Sequence, residues 1–204
     1  MSTLEAGEVR LELEQVAELG VLARNSLANK TDPYWAYLWP SARALANVVA
    51  DLPDMHGRRV LDLGCGLGAV GLTARAKGAD VLLVDIRSEA LALVRRNAER
   101  NALEVETLQL DFSDPPPDLG QFDTILAADV LYADGMLRAV IRFLKKHLAP
   151  DGLAMITDPM RIEDGGVAGA CRLHGMEAID TVLVPGRTLT GGVVLYEIQR
   201  RVRQ

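Results

Sequence analysis

The chain alternates short apolar runs with longer stretches in which apolar residues recur at helical spacing. Five of the short runs predict strands, at residues 60–63, 81–85, 105–110, 122–128 and 153–157. Strands that alternate with helices are typical of a parallel sheet covered by helices on both faces. Two later runs, 178–184 and 193–199, flank a glycine- and proline-containing segment and predict two closing strands. The pattern therefore predicts a Rossmann-like, doubly wound α/β fold with a mostly parallel seven-stranded sheet and an antiparallel last strand.

The stretches between these runs predict helices at residues 17–27, 41–52, 88–101, 136–148 and 167–174. Ser41, directly after Pro40, is an N-cap or first-turn residue of the second helix, and Ser88 is expected to cap the third. The first 32 residues are polar and mixed, with a short alternating strand at 9–13.

The length of 204 residues fits one α/β domain with a substantial core. We expect a single domain over 1–204, with residues 1–52 as an N-terminal extension and lid. Residues 31–40 hold both tryptophans and two of the four tyrosines of a chain that is only 4% aromatic. This concentration indicates an aromatic staple over the sheet edge, a wall over a bound ligand, or both.

The formal net charge of −6 and the pI near 5.1 argue against a protein that follows a nucleic-acid backbone. No apolar run reaches the roughly 18 residues of a membrane span, and the acidic N-terminus is unlike a targeting peptide. Cys65 and Cys171 form no CxxC pair, and the three histidines lack ligand spacing, so neither a disulfide nor a metal is expected. We expect a cytoplasmic monomer without a nucleic-acid or membrane partner.

A glycine-dense turn with Gly64, Gly66 and Gly68, followed by a further predicted helix of ordinary length, separates the first two strands of the predicted sheet. Glycine at these positions permits positive φ and lets a ligand approach the backbone. The spacing also matches the dinucleotide pattern G-x-G-x-x-G, so the glycines alone leave the ligand open. A turn that uses its glycines only for packing is a further alternative.

Asp62 distinguishes these ligands because it lies at the carboxyl end of the first strand, two residues before the first glycine. A pyrophosphate there would meet a second negative charge. S-adenosylmethionine carries an ammonium and a sulfonium instead of phosphates, so the same carboxylate favours it. Asp85, at the end of the next strand, can accept hydrogen bonds from both ribose hydroxyls. Asp111 and Phe112 end the third strand, where an adenine would lie, although an ordinary strand terminus is an alternative.

The acid-x-Gly-x-Gly-x-Gly pattern, followed by an acid at the next strand end, resembles the class I methyltransferases. That family implies S-adenosylmethionine as the cofactor. Together with the residue-level argument, the resemblance gives this predicted cofactor site: Trp39, Asp62, Gly64, Cys65, Gly66, Gly68, Asp85, Ile86, Asp111, Phe112 and Ala128.

The sequence Asp129-Val130-Leu131-Tyr132 follows the fourth strand, where the sheet order reverses and α/β proteins bind ligands. It resembles the Asp-x-x-Tyr motif of the seven-β-strand protein lysine methyltransferases. Residues 33–45 and 158–161 are similar to the branch that methylates the electron transfer flavoprotein β subunit. The resemblance implies a protein substrate, with Asp129 and Tyr132 as catalytic residues facing its lysine. Asp129 as a helix N-cap, with Tyr132 packed beneath it, is the structural alternative.

The sequence differs from that branch at a few positions, which leaves the identity of the methyl acceptor open. Ser41-Ala42 stands where the branch tends to have two glycines, and Met160 replaces a glycine. A small-molecule methyltransferase is the main alternative, and RNA is disfavoured because no Asn-Pro-Pro-Tyr-like sequence follows the fourth strand. An NAD-dependent oxidoreductase is disfavoured by Asp62 and by the lack of a Tyr-x-x-x-Lys pair. A binding protein that has lost activity is a further alternative.

Overall fold

The computed structural model describes residues 1–15, 34–116, 118–133, 135–163, 165–184 and 192–201. The strands within these ranges are β1 (Ser2–Ala6), β2 (Val9–Leu13), β3 (Arg59–Leu63), β4 (Asp80–Asp85), β5 (Glu106–Gln109), β6 (Phe122–Ala128), β7 (Leu148–Asp158), β8 (Met176–Val184) and β9 (Val193–Arg200). The α-helices are α1 (Pro40–Asp51), α2 (Ala69–Ala76), α3 (Ser88–Arg100), α4 (Met136–His147) and α5 (Gly166–Leu173). A 3₁₀ turn over Tyr34–Ala36 precedes α1.

Seven of the described strands form one sheet in the order β5-β4-β3-β6-β7-β9-β8. The first five in this order run parallel, and β9 is antiparallel to both of its neighbours. This arrangement confirms the predicted fold class, including the antiparallel last strand. The chain builds outward from β3 to β5 and then returns to place β6 on the other side of β3. The carboxyl ends of β3 and β6 therefore border the point at which α/β proteins bind ligands.

Helices cover both faces of this sheet because successive side chains of a strand point to opposite sides. Leu61 and Leu63 belong to the cluster that contains Val140 of α4 and Val167 of α5. Val60 belongs to the opposite cluster, packed with residues of α1, α2 and α3. Asp62 shares the direction of Val60, so a carboxylate enters the protein at the end of an otherwise apolar strand.

The β1-β2 hairpin forms a further layer over α1, α2 and α3, with Leu4, Ala6, Leu11 and Leu13 all buried. Asn97 of α3 and Asn101, the C-cap residue of that helix, bind the second strand of the hairpin and the residue after it. Asn101 Oδ1 accepts the Glu12 N–H at 2.9 Å, and Asn97 Oδ1 accepts the Glu14 N–H at 2.7 Å. The strand predicted at 9–13 is confirmed, whereas β1 was missed. The single domain over 1–204 and the lid over 1–52 stay predictions.

The predicted fifth strand began too late, since α4 runs directly into β7 at Leu148. Phe122 pairs with Leu148 and Thr124 with Leu153, and the irregularity between them accommodates Pro150 within the strand. The third strand is shorter than predicted, at Glu106–Gln109. The predicted helix at 17–27 and most of the segment between the closing strands lie outside the described residues.

Ser88 is the first residue of α3, so its predicted role as the cap was wrong. Arg87 takes the N-cap position in an extended conformation, φ −96° and ψ 118°, without a side-chain cap. The Arg87 N–H instead donates to Asp85 Oδ1 at 2.9 Å. The strand-end carboxylate thus joins β4 to the start of α3.

Candidate functional site

The glycine-dense turn connects β3 to α2 at the carboxyl edge of the sheet. Gly64 and Gly66 have φ values of +68° and +53°, in the left-handed region that glycine occupies without strain. A Cβ at Gly66 would lie 3.0 Å from the carbonyl oxygen of Trp35, and one at Gly64 would lie 2.9 Å from Cγ1 of Val130. Both glycines are therefore required by the backbone conformation and by close neighbours.

Asp85 holds this turn from the neighbouring strand. Its Oδ2 accepts the Gly66 N–H at 3.0 Å, while its Oδ1 accepts the Arg87 N–H. Burial raises the pKa of Asp85, and the backbone hydrogen bonds oppose that shift. Each carboxylate oxygen retains further acceptor capacity, so Asp85 can also accept hydrogen bonds from a ligand that carries hydroxyl groups.

Asp62 is only 2% exposed, and its Oδ2 accepts the Gly71 N–H at 2.8 Å. Burial raises its pKa to about 7, with a smaller contribution of the same sign from Asp85. The carboxyl group lies on the wall of a cavity, so a cationic group brought there would stabilise the ionised form.

The cavity has a volume of about 1060 Å³ and lies over the carboxyl ends of β3, β4 and β6. It brings together all but one of the residues predicted for the site: Trp39, Asp62, Gly64, Cys65, Gly66, Asp85, Ile86, Asp111, Phe112, Ala128, Asp129 and Tyr132. Gly68 is outside the lining, at the N-cap of α2 with φ +87°. A Cβ there would contact side chains of Val94, Leu72 and Leu83, so Gly68 serves the turn and its packing.

One end of the cavity is apolar, with Ile86, Leu110 and Phe112 in the lining. Asp111 beside them accepts the Ser113 N–H at 2.8 Å, and hydrogen bonds from Ser113 lower the pKa of its carboxyl group. Ile86 is 56% exposed despite its apolar side chain. A flat, apolar ring with polar edges fits this end of the cavity.

Aromatic rings from residues 34–39 also line the cavity. Trp39 lies edge-on to Tyr34 and Tyr37, with ring centroids 5.8 Å and 5.1 Å away, and its Nε1 donates to the Tyr34 carbonyl at 2.8 Å. Tyr34 also approaches Tyr132, with centroids 6.4 Å apart. The aromatic segment therefore forms part of the cavity wall, as one of the two sequence interpretations expected. Trp35 and Tyr37 line it too, although neither was predicted as a site residue.

Asp129 follows β6 with φ +62°, in the left-handed region that aspartate tolerates better than most side chains. Its N–H donates to the Thr157 carbonyl at 2.8 Å, which ties it to the end of β7. The alternative role of Asp129 as a helix cap is wrong, because the next helix begins at Met136 with Gly135 at its N-cap. Its carboxylate is instead an acceptor on the cavity wall.

Arg161 was not predicted as a site residue, although residues 158–161 carried part of the family resemblance. Its Nη1 donates to Asp129 Oδ1, and the same nitrogen lies 3.3 Å from Asp158 Oδ1. Met160, immediately before it, has φ +59°, a conformation that glycine adopts without strain, so a glycine, as the family resemblance implies, would fit this position. This turn brings the Arg161 side chain into the cavity lining.

Within the described ranges, no group of three or more histidine, cysteine or acidic residues could hold a metal ion. In the same ranges, no helix is long and apolar enough to span a membrane.

Comparisons with known proteins agree with this geometry. Residues 60–152 match a family model described as a methyltransferase domain. The chain is 32% identical over 169 residues to the electron transfer flavoprotein beta subunit lysine methyltransferase of Danio rerio, covering 80% of this chain and 65% of that protein. For the Homo sapiens protein of the same name the identity is 32% over 154 residues, covering 74% and 58%. The chain thus spans less than two thirds of the length of these relatives.

Solved structures agree at the level of the fold. Magnesium protoporphyrin IX methyltransferase from Synechocystis, determined with bound SAH, has a TM-score of 0.65 at 18% identity, covering 80% of this chain and 84% of that one. The family match begins in β3 and ends within β7, so it covers the glycine turn and the ends of β4 and β6, whereas the aromatic segment and Arg161 lie outside it. On this evidence residues 60–152 carry a methyltransferase-domain match, and the fold is the one found in solved methyltransferase structures.

Proposed function

We propose that the protein is an S-adenosylmethionine-dependent methyltransferase that transfers a methyl group to the side-chain amine of a lysine in a protein substrate. The observation that carries the proposal is the position of Asp129. Its carboxylate lies at the end of β6, on the wall of the same cavity as Asp85 and the glycine turn. One cavity can therefore hold a cofactor at Asp85 and an acceptor amine at Asp129.

The residues present fit S-adenosylmethionine. Asp85 would accept the ribose hydroxyls, and Asp62 would accept the ammonium of the methionine part. The apolar end with Ile86 and Phe112 would hold the adenine. When bound, the cofactor supplies a methyl group on a positively charged sulfur. The same site is unfavourable for a pyrophosphate, because two buried carboxyl groups border the turn.

The chain's own residues would mainly position the amine and exclude water. A lysine amine has to lose its proton to solvent before its lone pair can form the new N–C bond, as the C–S bond breaks and its electrons stay on sulfur. Asp129 would accept an N–H of the amine and point the lone pair toward the methyl group. Tyr132 and Tyr34, about half exposed at 51% and 48%, would narrow the entrance around the aliphatic part of the lysine.

The β subunit of electron transfer flavoprotein is the substrate that we propose to test first, since the relatives named for it match most of this chain. With labelled S-adenosylmethionine and the recombinant β subunit from the same organism, we expect label in that protein, located on lysine by mass spectrometry. A cell lysate tested in parallel would reveal another protein acceptor. Label that appears only in small molecules or RNA would contradict transfer to protein.

Cofactor affinity should depend on pH because Asp62 has a raised pKa of about 7. The ligand's ammonium favours the ionised carboxylate, so protonation of Asp62 as the pH falls opposes binding. Between pH 7 and pH 5.5 we expect the dissociation constant of S-adenosylmethionine, measured by titration calorimetry, to rise about tenfold. NAD should bind more weakly than S-adenosylmethionine at pH 7, with an affinity that does not fall in this way, because protonation removes a charge that repels its pyrophosphate.

The control for this experiment is Asp62→Asn, in which the amide oxygen can still accept the Gly71 N–H. Its affinity for the cofactor should be lower at pH 7 and should change less between the two pH values. Any slope that remains is assigned to Asp85, whose pKa is also raised by burial. A parental protein with equal affinity at both pH values would show that the ammonium does not lie at Asp62.

A further inference from the structure

Arg161 joins two carboxylates that end neighbouring strands. The pairing of Ala128 with Thr157 places Asp129, after β6, beside Asp158, at the end of β7. Arg161 contacts both through Nη1, and its backbone N–H donates to Asp158 Oδ2 at 2.6 Å. The Asp129 side chain is 10% exposed and that of Arg161 is 39% exposed. The ion pair thus lies at the edge of the cavity, partly shielded from solvent.

Asp158 keeps the guanidinium in place. Its side chain is fully buried, and Arg161 supplies it with both a backbone and a side-chain partner. If the guanidinium moved away when a substrate entered, a buried carboxylate would lose its countercharge, which is strongly unfavourable. Arg161 is therefore not a gate that an incoming lysine displaces. Asp129 can hold Arg161 and still accept an N–H from an amine, because a carboxylate has about four acceptor sites.

The pairing of Arg161 with Asp129 affects the protonation state of the acceptor amine in the proposed reaction. A carboxylate orients an amine well, but an isolated carboxylate also favours the protonated ammonium, which cannot attack a methyl group. A fixed guanidinium beside the carboxylate offsets its charge and repels an ammonium at the same place. Among the described residues, Asp158 is the other ionisable group in contact with Arg161. The further ionisable residues that line the same cavity are Tyr34, Tyr37, Asp62, Cys65, Asp85, Arg87, Asp111, Tyr132 and Arg142.

We propose that Arg161 is a positioning residue whose guanidinium offsets the charge of Asp129, so that Asp129 orients the acceptor in its neutral form. The proposal rests on the lysine transfer proposed above. It assigns to the Asp-Pro-Met-Arg turn a role in the protonation state of the acceptor, in addition to holding the end of β7.

The test is the pH dependence of turnover with saturating cofactor and electron transfer flavoprotein β subunit. The acidic limb of the profile is the range in which the rate rises as the amine loses its proton. In Arg161→Gln this limb should shift to higher pH by roughly one pH unit or more. Arg161→Lys retains the charge and should stay near the parental limb. Arg172→Gln, an exposed arginine of α5 outside the cavity, is the matched control and should leave the profile unchanged.

Arg161→Gln leaves the buried Asp158 carboxylate without its countercharge. The double variant Arg161→Gln/Asp158→Asn therefore provides a second measurement, in which the charge of Asp158 is also removed. Its acidic limb should move in the same direction. A uniform loss of rate at every pH, with the limb unmoved in both variants, would overturn the proposal and leave Arg161 a purely structural role.

A binding measurement separates this proposal from the proposed function. With S-adenosylhomocysteine bound, n-butylammonium at pH 7 should bind the Arg161→Gln protein at least several-fold more tightly than the parent, because the carboxylate is no longer offset. Equal or weaker binding would overturn the role of Arg161. Absence of methyl transfer by the parent would instead contradict the lysine methyltransferase function, and the n-butylammonium result would still decide what Arg161 does to Asp129.

Discussion

Asp129→Asn is expected to reduce turnover at least about 100-fold while the fold and the cofactor affinity stay near those of the parent. Asparagine tolerates the left-handed conformation that Asp129 adopts, φ +62°, so the turn after β6 should persist. The amide is neutral and has one acceptor oxygen instead of two. It would lose the ion pair with Arg161, whose guanidinium would keep Asp158 as its carboxylate partner and still lie beside the incoming amine.

Single-turnover and steady-state rates with saturating S-adenosylmethionine measure this effect, and calorimetry measures the cofactor affinity separately. Asp151→Asn makes the same chemical change at an exposed position near the other end of β7 and should leave both quantities unchanged. A parental rate in Asp129→Asn would remove this carboxylate from the catalytic residues. The proposed acceptor site would then need another orienting group.

The residues of the cofactor half of the site could be predicted from the sequence because they lie in or directly after predicted strands. Gly64 and Gly66 follow one predicted strand and Asp85 ends the next, so knowledge of two parallel neighbours is enough to bring them together. Asp129 was accessible for the same reason, since β6 was predicted with its observed bounds and pairs with β3. In each case a strand end and a polar residue identify the site.

Arg161 could not be placed in this way. It is 32 residues from Asp129 in the sequence. The two side chains meet only because Ala128 of β6 pairs with Thr157 of β7 and because Met160 turns the chain at positive φ. The signal that could have identified it was Asp158, a carboxylate at the end of a strand adjacent to β6. Its partner required the geometry of the loop, which no periodicity in the sequence describes.

The protonation of Asp62 is a property that the sequence could not predict for a different reason. Its position at the strand end followed from the sequence, but its raised pKa results from burial by packed helices and loops. The β1 strand was missed although Leu4 and Ala6 alternate with polar residues, because two apolar positions are too few to predict a strand. The β1 strand is held by its packing against α1, α2 and α3, which only the three-dimensional structure shows.

Asp85→Ala should weaken cofactor binding by roughly 1 to 3 kcal/mol, or about 5- to 150-fold in the dissociation constant. Two effects act together. The ribose hydroxyls would lose their acceptor, and the N–H groups of Gly66 and Arg87 would lose theirs as well. The second effect loosens the glycine turn, so the loss should exceed that of a residue that contacts only the ligand. Asp85→Asn retains one acceptor oxygen and should give an intermediate loss.

Asp80→Ala is the matched control, since Asp80 begins the same strand and is exposed at the edge away from the cavity. It should leave the dissociation constant of S-adenosylmethionine unchanged. Thermal unfolding without ligand tests the two effects separately: a loosened turn lowers the melting temperature of the free Asp85→Ala protein, whereas a lost ribose contact lowers only the stabilisation that the cofactor adds. An unchanged dissociation constant in Asp85→Ala would show that the ribose binds elsewhere. Asp85 would then retain only its observed role of joining the glycine turn to the start of α3.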